Sequence, residues 1–185
     1  MDGSPIGPYP SPKPAAALRP WNPKAPEAAA RVIALIERHL PGTTAEHIGS
    51  SAVPGCAGKG YLDLLIPYWD EAHLAAINEA LFALGFGRQR GSDPFPESRP
   101  MRIGTIAHEG EAFVLHVHVV PAHSPEVADL RDFRDRLRVD PDLVDQYVAV
   151  KRAILEAGVR EGAAYARMKG KFIAGLGYRG ADDAG

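Results

Sequence analysis

Apolar residues recur at helical spacing after Pro26. Ala29, Val32, Ile33, Ile36 and Leu40 share one face, with Arg31, Glu37 and Arg38 opposite, and Pro41-Gly42 ends the helix. Thr43 to Ile48 reads as a short strand, Gly49-Ser50-Ser51 as a turn, and Pro54-Gly55 as a break. Tyr61 to Ile66 is an apolar run of strand length, interrupted only by Asp63. Asp70 is placed to cap a helix with Leu74, Ile77, Leu81 and Leu84 on its apolar face, and Gly85 follows as its C-terminal stop. Residues 87–100 hold two Gly and three Pro and read as a surface loop near a ligand site. Met101 to Ala107 and Ala112 to Val120 read as strands joined at the Glu109-Gly110 turn, and Pro121 ends the second.

The remainder is helical. Ser124-Pro125-Glu126 pairs an N-cap with Pro at the first helical position, and Asp140-Pro141-Asp142 repeats the device. Leu143, Tyr147, Val150 and Ile154 line the second of these helices. A third, about Glu161 to Ala174, carries Tyr165, Met168, Phe172 and Ile173. A helix, a block of strands with one embedded helix, and three closing helices predict an α+β fold: a small mixed sheet covered mainly on one side, with a C-terminal helical segment. Pro5, Pro8, Pro10, Pro12, Pro14 and Pro20 crowd the first twenty residues, so residues 1–19 are expected to form a disordered tail that buries almost nothing. Residues 20–178 are then the domain, and 179–185 a second tail.

Length and composition narrow the class. The 185 residues suit one domain. Lys plus Arg is 21 and Asp plus Glu is 23, a formal charge of −2. That balance argues against a broad nucleic-acid surface, which needs a basic excess, and leaves room for a local anion pocket. The single cysteine, Cys56, supports neither an internal disulfide nor a cysteine zinc cage. No apolar run approaches the roughly 20 residues that span a bilayer, and no secretory h-region opens the chain, so a cytoplasmic location is expected.

Four groups of residues could carry chemistry. Gly49, Ser50 and Ser51 form a turn whose amides and hydroxyls suit phosphate oxygens. Asp63 lies in an otherwise apolar strand, where an ionised carboxylate is costly unless paired, metal-bound or at a cleft. A structural aspartate satisfied by backbone amides or a basic side chain is the alternative. His116 and His118 share one strand face, about 6–7 Å apart, while Phe113, Leu115, Val117 and Val119 take the opposite one. Two imidazoles with Asp63 could hold a metal or contact a phosphate; a polar sheet face is the alternative. Arg131, Arg134 and Arg138 lie on one helix face, followed by Lys151, Lys169 and Lys171. They are either a solvated surface or a cationic wall for a polyphosphate.

Glu46-His47-Ile48-Gly49-Ser50-Ser51-Ala52-Val53-Pro54-Gly55, with Lys59 and Asp63, resembles the opening signature of the GrpB family, also called UPF0157. His116-Val117-His118-Val119, Phe133 to Arg138, Pro141, Tyr147, Lys151, Tyr165 and Lys169 follow in the family's order, and Pro20-Trp21 matches its entry. The resemblance implies a nucleotidyltransferase-like fold. There a Gly-Ser turn precedes a strand whose paired carboxylates hold Mg²⁺ against nucleotide phosphates; here 12 residues separate Ser50 from Asp63. It therefore implies Mg²⁺ and a nucleoside triphosphate as cofactors. Asp63, Ser50, His116 and His118 would be catalytic, and Asp63, His116 and His118 metal-binding. Gly49, Ser50, Ser51, Lys59, Arg134, Arg138 and Lys151 would bind the phosphorylated small molecule. The chain departs from the family's superfamily pattern at Leu65, where the second carboxylate would stand, and at the strand that offers His116 and His118 in place of the third. Lys59-Gly60-Tyr61 also replaces the family's usual Lys-Pro followed by a β-branched residue. Three functions are thus expected in turn: nucleotide binding with nucleotidyl or phosphoryl transfer; a non-catalytic accessory domain with a protein partner, as when GrpB domains are fused to dephospho-CoA kinase; and a transition-metal hydrolase.

Overall fold

The computed structural model describes residues 5–12, 14–91 and 94–178. Its elements are α1 (Ala25–His39), β1 (Glu46–Ile48), one short helical turn (Ser50–Ala52), β2 (Leu62–Tyr68), α2 (Glu71–Ala83), β3 (Gly87–Arg88), β4 (Met101–His108), β5 (Glu111–Pro121), α3 (Pro125–Val139), α4 (Pro141–Glu156) and α5 (Gly162–Gly175). The expected caps are formed: Asp70, Ser124 and Asp140 accept hydrogen bonds from His73, Glu126 and Leu143 amides. These satisfy amides that a helix start leaves without partners.

The sheet order is β1-β2-β5-β4-β3, antiparallel except for the β2–β5 pair. This is the α+β arrangement expected, with a short strand inside the segment read as an irregular loop. Strand alternation sorts the two faces. Leu62, Leu64, Ile66, Leu115, Val117 and Val119 point into a core closed by Val32 and Ile36 of α1 and Ile77 and Leu81 of α2. The other face carries Asp63, His116 and His118, and at one end Leu65 and Val120, which pack under Val127 of α3. A further apolar cluster joins Leu137, Leu143, Val144 and Tyr147 to Val53 and Cys56, and so ties the closing helices to the loop between β1 and β2.

The expectation that residues 1–19 bury almost nothing is corrected for 5–12 and 14–19. Ile6 sits in the main core, Gly7 pairs with Thr105, Ala16 is buried beside Ile154 and Tyr165, and Arg19 pairs with Gly58. Proline removes amide donors but leaves the carbonyls and apolar side chains free to pack. Gly104 makes the docking fit, since a Cβ there would lie 2.5 Å from Ile6 Cγ2. Residues 1–4 and the expected tail 179–185 lie outside the described residues.

Candidate functional site

Strand pairing builds the site. Parallel register sets Asp63 opposite His116 and Leu65 opposite His118, while β1 brings Ile48 opposite Asp63. Gly49 follows at once, with φ +72° and ψ −172°, a region open essentially to glycine alone. A Cβ there would also lie 2.6 Å from Asp63 Oδ2. Glycine at 49 therefore serves both the turn and the room for the Asp63 carboxylate.

Asp63 Oδ1 lies 3.4 Å from His116 Nδ1 and 3.6 Å from His118 Nε2. Burial pushes the Asp63 carboxyl up, but its contacts with the two imidazoles outweigh this and hold it well below the usual carboxylate range. Burial lowers His118, and the Arg99 charge adds to that. Each imidazole has a partner on its far side. His116 Nε2 is 3.4 Å from the Tyr9 hydroxyl, and His118 Nδ1 is 3.2 Å from Arg99 Nη1.

These groups open onto a cavity of about 750 Å³, also lined by Gly49, Ser50, Ser51, Lys59, Arg134 and Lys151. Ser50 stands over Lys151, whose ammonium donates to Ser50 Oγ (3.1 Å), to the Ala57 carbonyl and to Cys56 Sγ (3.3 Å). Lys151 is 1% exposed, and among the described residues no carboxylate pairs with it. Burial lowers its pKa to about 8. Its ring contact, Tyr147 at 4.1 Å, offers only a partial counter-charge. Lys59 lies over the rings of Tyr165 and Tyr61, at 4.6 and 5.9 Å.

Three expectations need correction. The Ser51 hydroxyl does not face the cavity free: it bonds His47 Nε2 at 2.9 Å, and Ser51 is buried. Arg138 does not line the cavity; it donates to the Ala52 carbonyl and contacts Asp135. The arginine face of α3 is no open wall either. Arg131 and Arg134 both bind Glu46, and Arg134 also binds Asp135 and the His47 carbonyl. These pairs brace the turn against α3, because the sequence puts an acid on β1 where the helix presents its guanidinium groups.

His47 gives the site a pH dependence. Burial lowers its pKa from 6.5 to about 4, with Arg138 and Arg134 acting in the same direction. Between those values the unfolded chain binds the proton and the folded one does not, so stability falls as pH drops through the window. Urea unfolding should show up to about 3 kcal/mol lost from pH 6.5 to pH 4. In His47→Gln that loss should be clearly smaller; an equal loss would place the titration elsewhere.

Mg²⁺ takes near-octahedral oxygen ligands. Among the described residues Asp63 is the one carboxylate grouped with His116 and His118, Leu65 is sealed among Ile48, Val120 and Val127, and Glu46 is committed to Arg131 and Arg134. The residues present do not fit a carboxylate-held Mg²⁺ ion. Asp63, His116 and His118 do each offer one ligand atom within 4.8 Å of the others, a donor set of borderline divalent ions.

The model of the family described as GrpB protein matches residues 15–178. This chain belongs to the GrpB family. It is 33% identical over 138 residues to a UPF0157 protein of Pseudomonas aeruginosa, covering 73% of this chain and 54% of that protein. With a UPF0157 protein of Vibrio cholerae it shares 31% over 134 residues, covering 72% and 65%. The GrpB chain thus spans less than two thirds of these curated relatives. The crystal structure of GrpB from Enterococcus faecalis superposes with a TM-score of 0.63 at 18% identity, covering 86% of this chain and 99% of that one. The Cid1 poly(U) polymerase with MgGTP bound superposes at 0.51 and 16% identity, covering 73% and 44%. The GrpB fold of this chain is therefore nucleotidyltransferase-like. No helix among the described residues is long and apolar enough to cross a membrane.

Sequence reasoning missed Tyr9, Arg99 and Glu126. The loop that carries Arg99 reads as lying near a ligand site, but no spacing connects Arg99 to Glu126, 27 residues on.

Proposed function

We propose that this GrpB domain binds a nucleotide, or another phosphorylated small molecule, in the cavity between Ser50, Asp63 and Lys151. Lys151 carries the reading. A buried ammonium without a carboxylate costs several kcal/mol and is retained where an anionic ligand completes its pairing. The cavity volume suits a small ligand, and the related fold of the Cid1 structure with MgGTP supports a nucleotide. Ser50 would meet phosphate oxygens. Asp63, kept ionised beside two imidazoles, would accept a hydrogen bond from an attacking hydroxyl and orient it, and nucleotidyl or phosphoryl transfer to a small acceptor is the reaction such a placement serves.

The test is thermal unfolding of wild type and Asp63→Asn with ATP, GTP, CTP or UTP, each with and without Mg²⁺. A bound nucleotide at a hundred times its Kd should add about 2.7 kcal/mol to wild-type stability. No stabilisation of either protein by any of the four would overturn the reading. Leu65 favours a second reading, in which the domain binds but does not turn over its ligand, as an accessory to a protein partner. Nucleotide would then stabilise the protein yet remain unconsumed with every small hydroxyl acceptor offered.

A further inference from the structure

Behind His118 lies an ion pair that the proposed function does not use. Arg99 ends the loop before β4, and Glu126 stands in the first turn of α3. Their side chains are 7% and 6% exposed. Arg99 Nε donates to Glu126 Oε2 at 2.9 Å and Nη2 donates to Oε1, a two-pronged grip that fixes the guanidinium plane. The Phe95 ring covers that plane, 4.0 Å from the central carbon, and meets His118 edge-on. The remaining amine, Nη1, points at His118 Nδ1 from 3.2 Å.

A guanidinium has donors only and does not lose its proton in proteins. The contact with Nδ1 is a hydrogen bond only if Nδ1 brings the lone pair. A neutral imidazole has one N–H, which then sits on Nε2, the nitrogen facing Asp63. We propose that Arg99 and Glu126 are positioning residues that hold His118 as its Nε2–H tautomer. His118 then meets Asp63 and the cavity as a hydrogen-bond donor and not as a metal ligand. The nitrogen that would have to coordinate a cation is already protonated. Turning the tautomer over would set an N–H of His118 against an N–H of Arg99. Asp63 and His118 so form an acceptor–donor pair at the cavity wall. What that N–H serves rests on the phosphorylated-ligand reading above; the tautomer itself does not.

Long-range proton–nitrogen NMR correlations of the full chain at neutral pH read the tautomer directly. His118 Nδ1 should show the shift of an unprotonated ring nitrogen and Nε2 that of a protonated one. The reverse assignment would overturn the proposal. On addition of zinc chloride to wild type, the His118 pattern should persist; a coordination shift at Nε2 would overturn it as well. Arg99→Met/Glu126→Gln removes the donor without stranding a carboxylate. There His118 should populate both tautomers, and zinc affinity should rise by about tenfold. A folded double variant with the wild-type pattern would overturn the positioning role. Should the double variant not fold, the wild-type spectra decide. Failure of the nucleotide reading would show in the unfolding experiment and leave these spectra unchanged, so the two can be told apart.

Discussion

Arg99→Ala should lower the stability of this GrpB domain by about 3–5 kcal/mol, measured by urea unfolding at neutral pH. The loss comes from what is left behind. Glu126 is buried, and both of its oxygens are bonded to Arg99. Truncating the arginine strands that carboxylate at the foot of α3 without a donor or access to water. It also removes the cation stacked on Phe95 and the partner of His118 Nδ1. The double variant Arg99→Met/Glu126→Gln should recover most of the loss, because neither charge then remains to be solvated. A loss of under 1 kcal/mol in Arg99→Ala would mean that Glu126 reaches water. The contrast is Lys24 with Glu111, at 2.8 Å but in the solvent, where screening leaves such a pair little net effect.

Lys151→Met should act on pH dependence more than on stability at pH 7. Wild-type Lys151 has a folded pKa of about 8 against 10.5 when unfolded. Below pH 8 the folded state carries the whole penalty of a buried charge. Between pH 8 and 10.5 the folded chain sheds the proton first, the unfolded one binds more protons, and stability rises with pH. The rise should be about 3 kcal/mol. In Lys151→Met it should vanish. At pH 7 the relief of the buried charge is offset by the Ala57 carbonyl losing its donor, about 1–3 kcal/mol, so the two proteins should differ by about 1 kcal/mol. Ligand binding should part them: loss of a charge-assisted contact to a phosphate weakens affinity by about 2–3 kcal/mol, or roughly 30- to 150-fold. A variant that binds nucleotide as tightly as wild type would remove Lys151 from the site.

The two effects have one origin. Arg99 and Lys151 are both buried cations, but only Arg99 has its counter-ion inside the protein. A folding core gains nothing from an unpaired buried ammonium, so Lys151 weighs on stability while Arg99 supports it. That difference separates a structural ion pair from a buried charge whose partner the proposed ligand would supply.

Much of the fold was legible along the chain. Helical spacing from Ala29 to Leu40 marks α1, and the residues capping α2, α3 and α4 are legible because capping is local chemistry. Alternation put Leu62, Leu64 and Ile66 on one face and Asp63 on the other, and His116 with His118 opposite the Phe113 to Val119 stripe. Proline crowding misled for residues 5–12 and 14–19, since proline frequency says nothing of whether a lone Ile6 finds a gap above Gly104.

The sequence by itself thus determined the α+β class, the family signature and a carboxylate and two imidazoles on polar strand faces. Each follows from periodicity or from residue order, which are properties of neighbours in the chain. Only the tertiary structure decided which of these groups meet, and in what state. Parallel pairing of β2 with β5 set Asp63 beside His116. The closing helices carried Lys151 beneath Ser50, across 101 residues, committed Arg134 to Glu46 and Asp135 at the cavity wall, and turned Arg138 onto Asp135 and the Ala52 carbonyl, away from the cavity. Arg99 and Glu126 came together behind His118 to assign its proton. Charge state and hydrogen-bond direction depend on burial and on partners distant in sequence, and those exist only once the chain has folded.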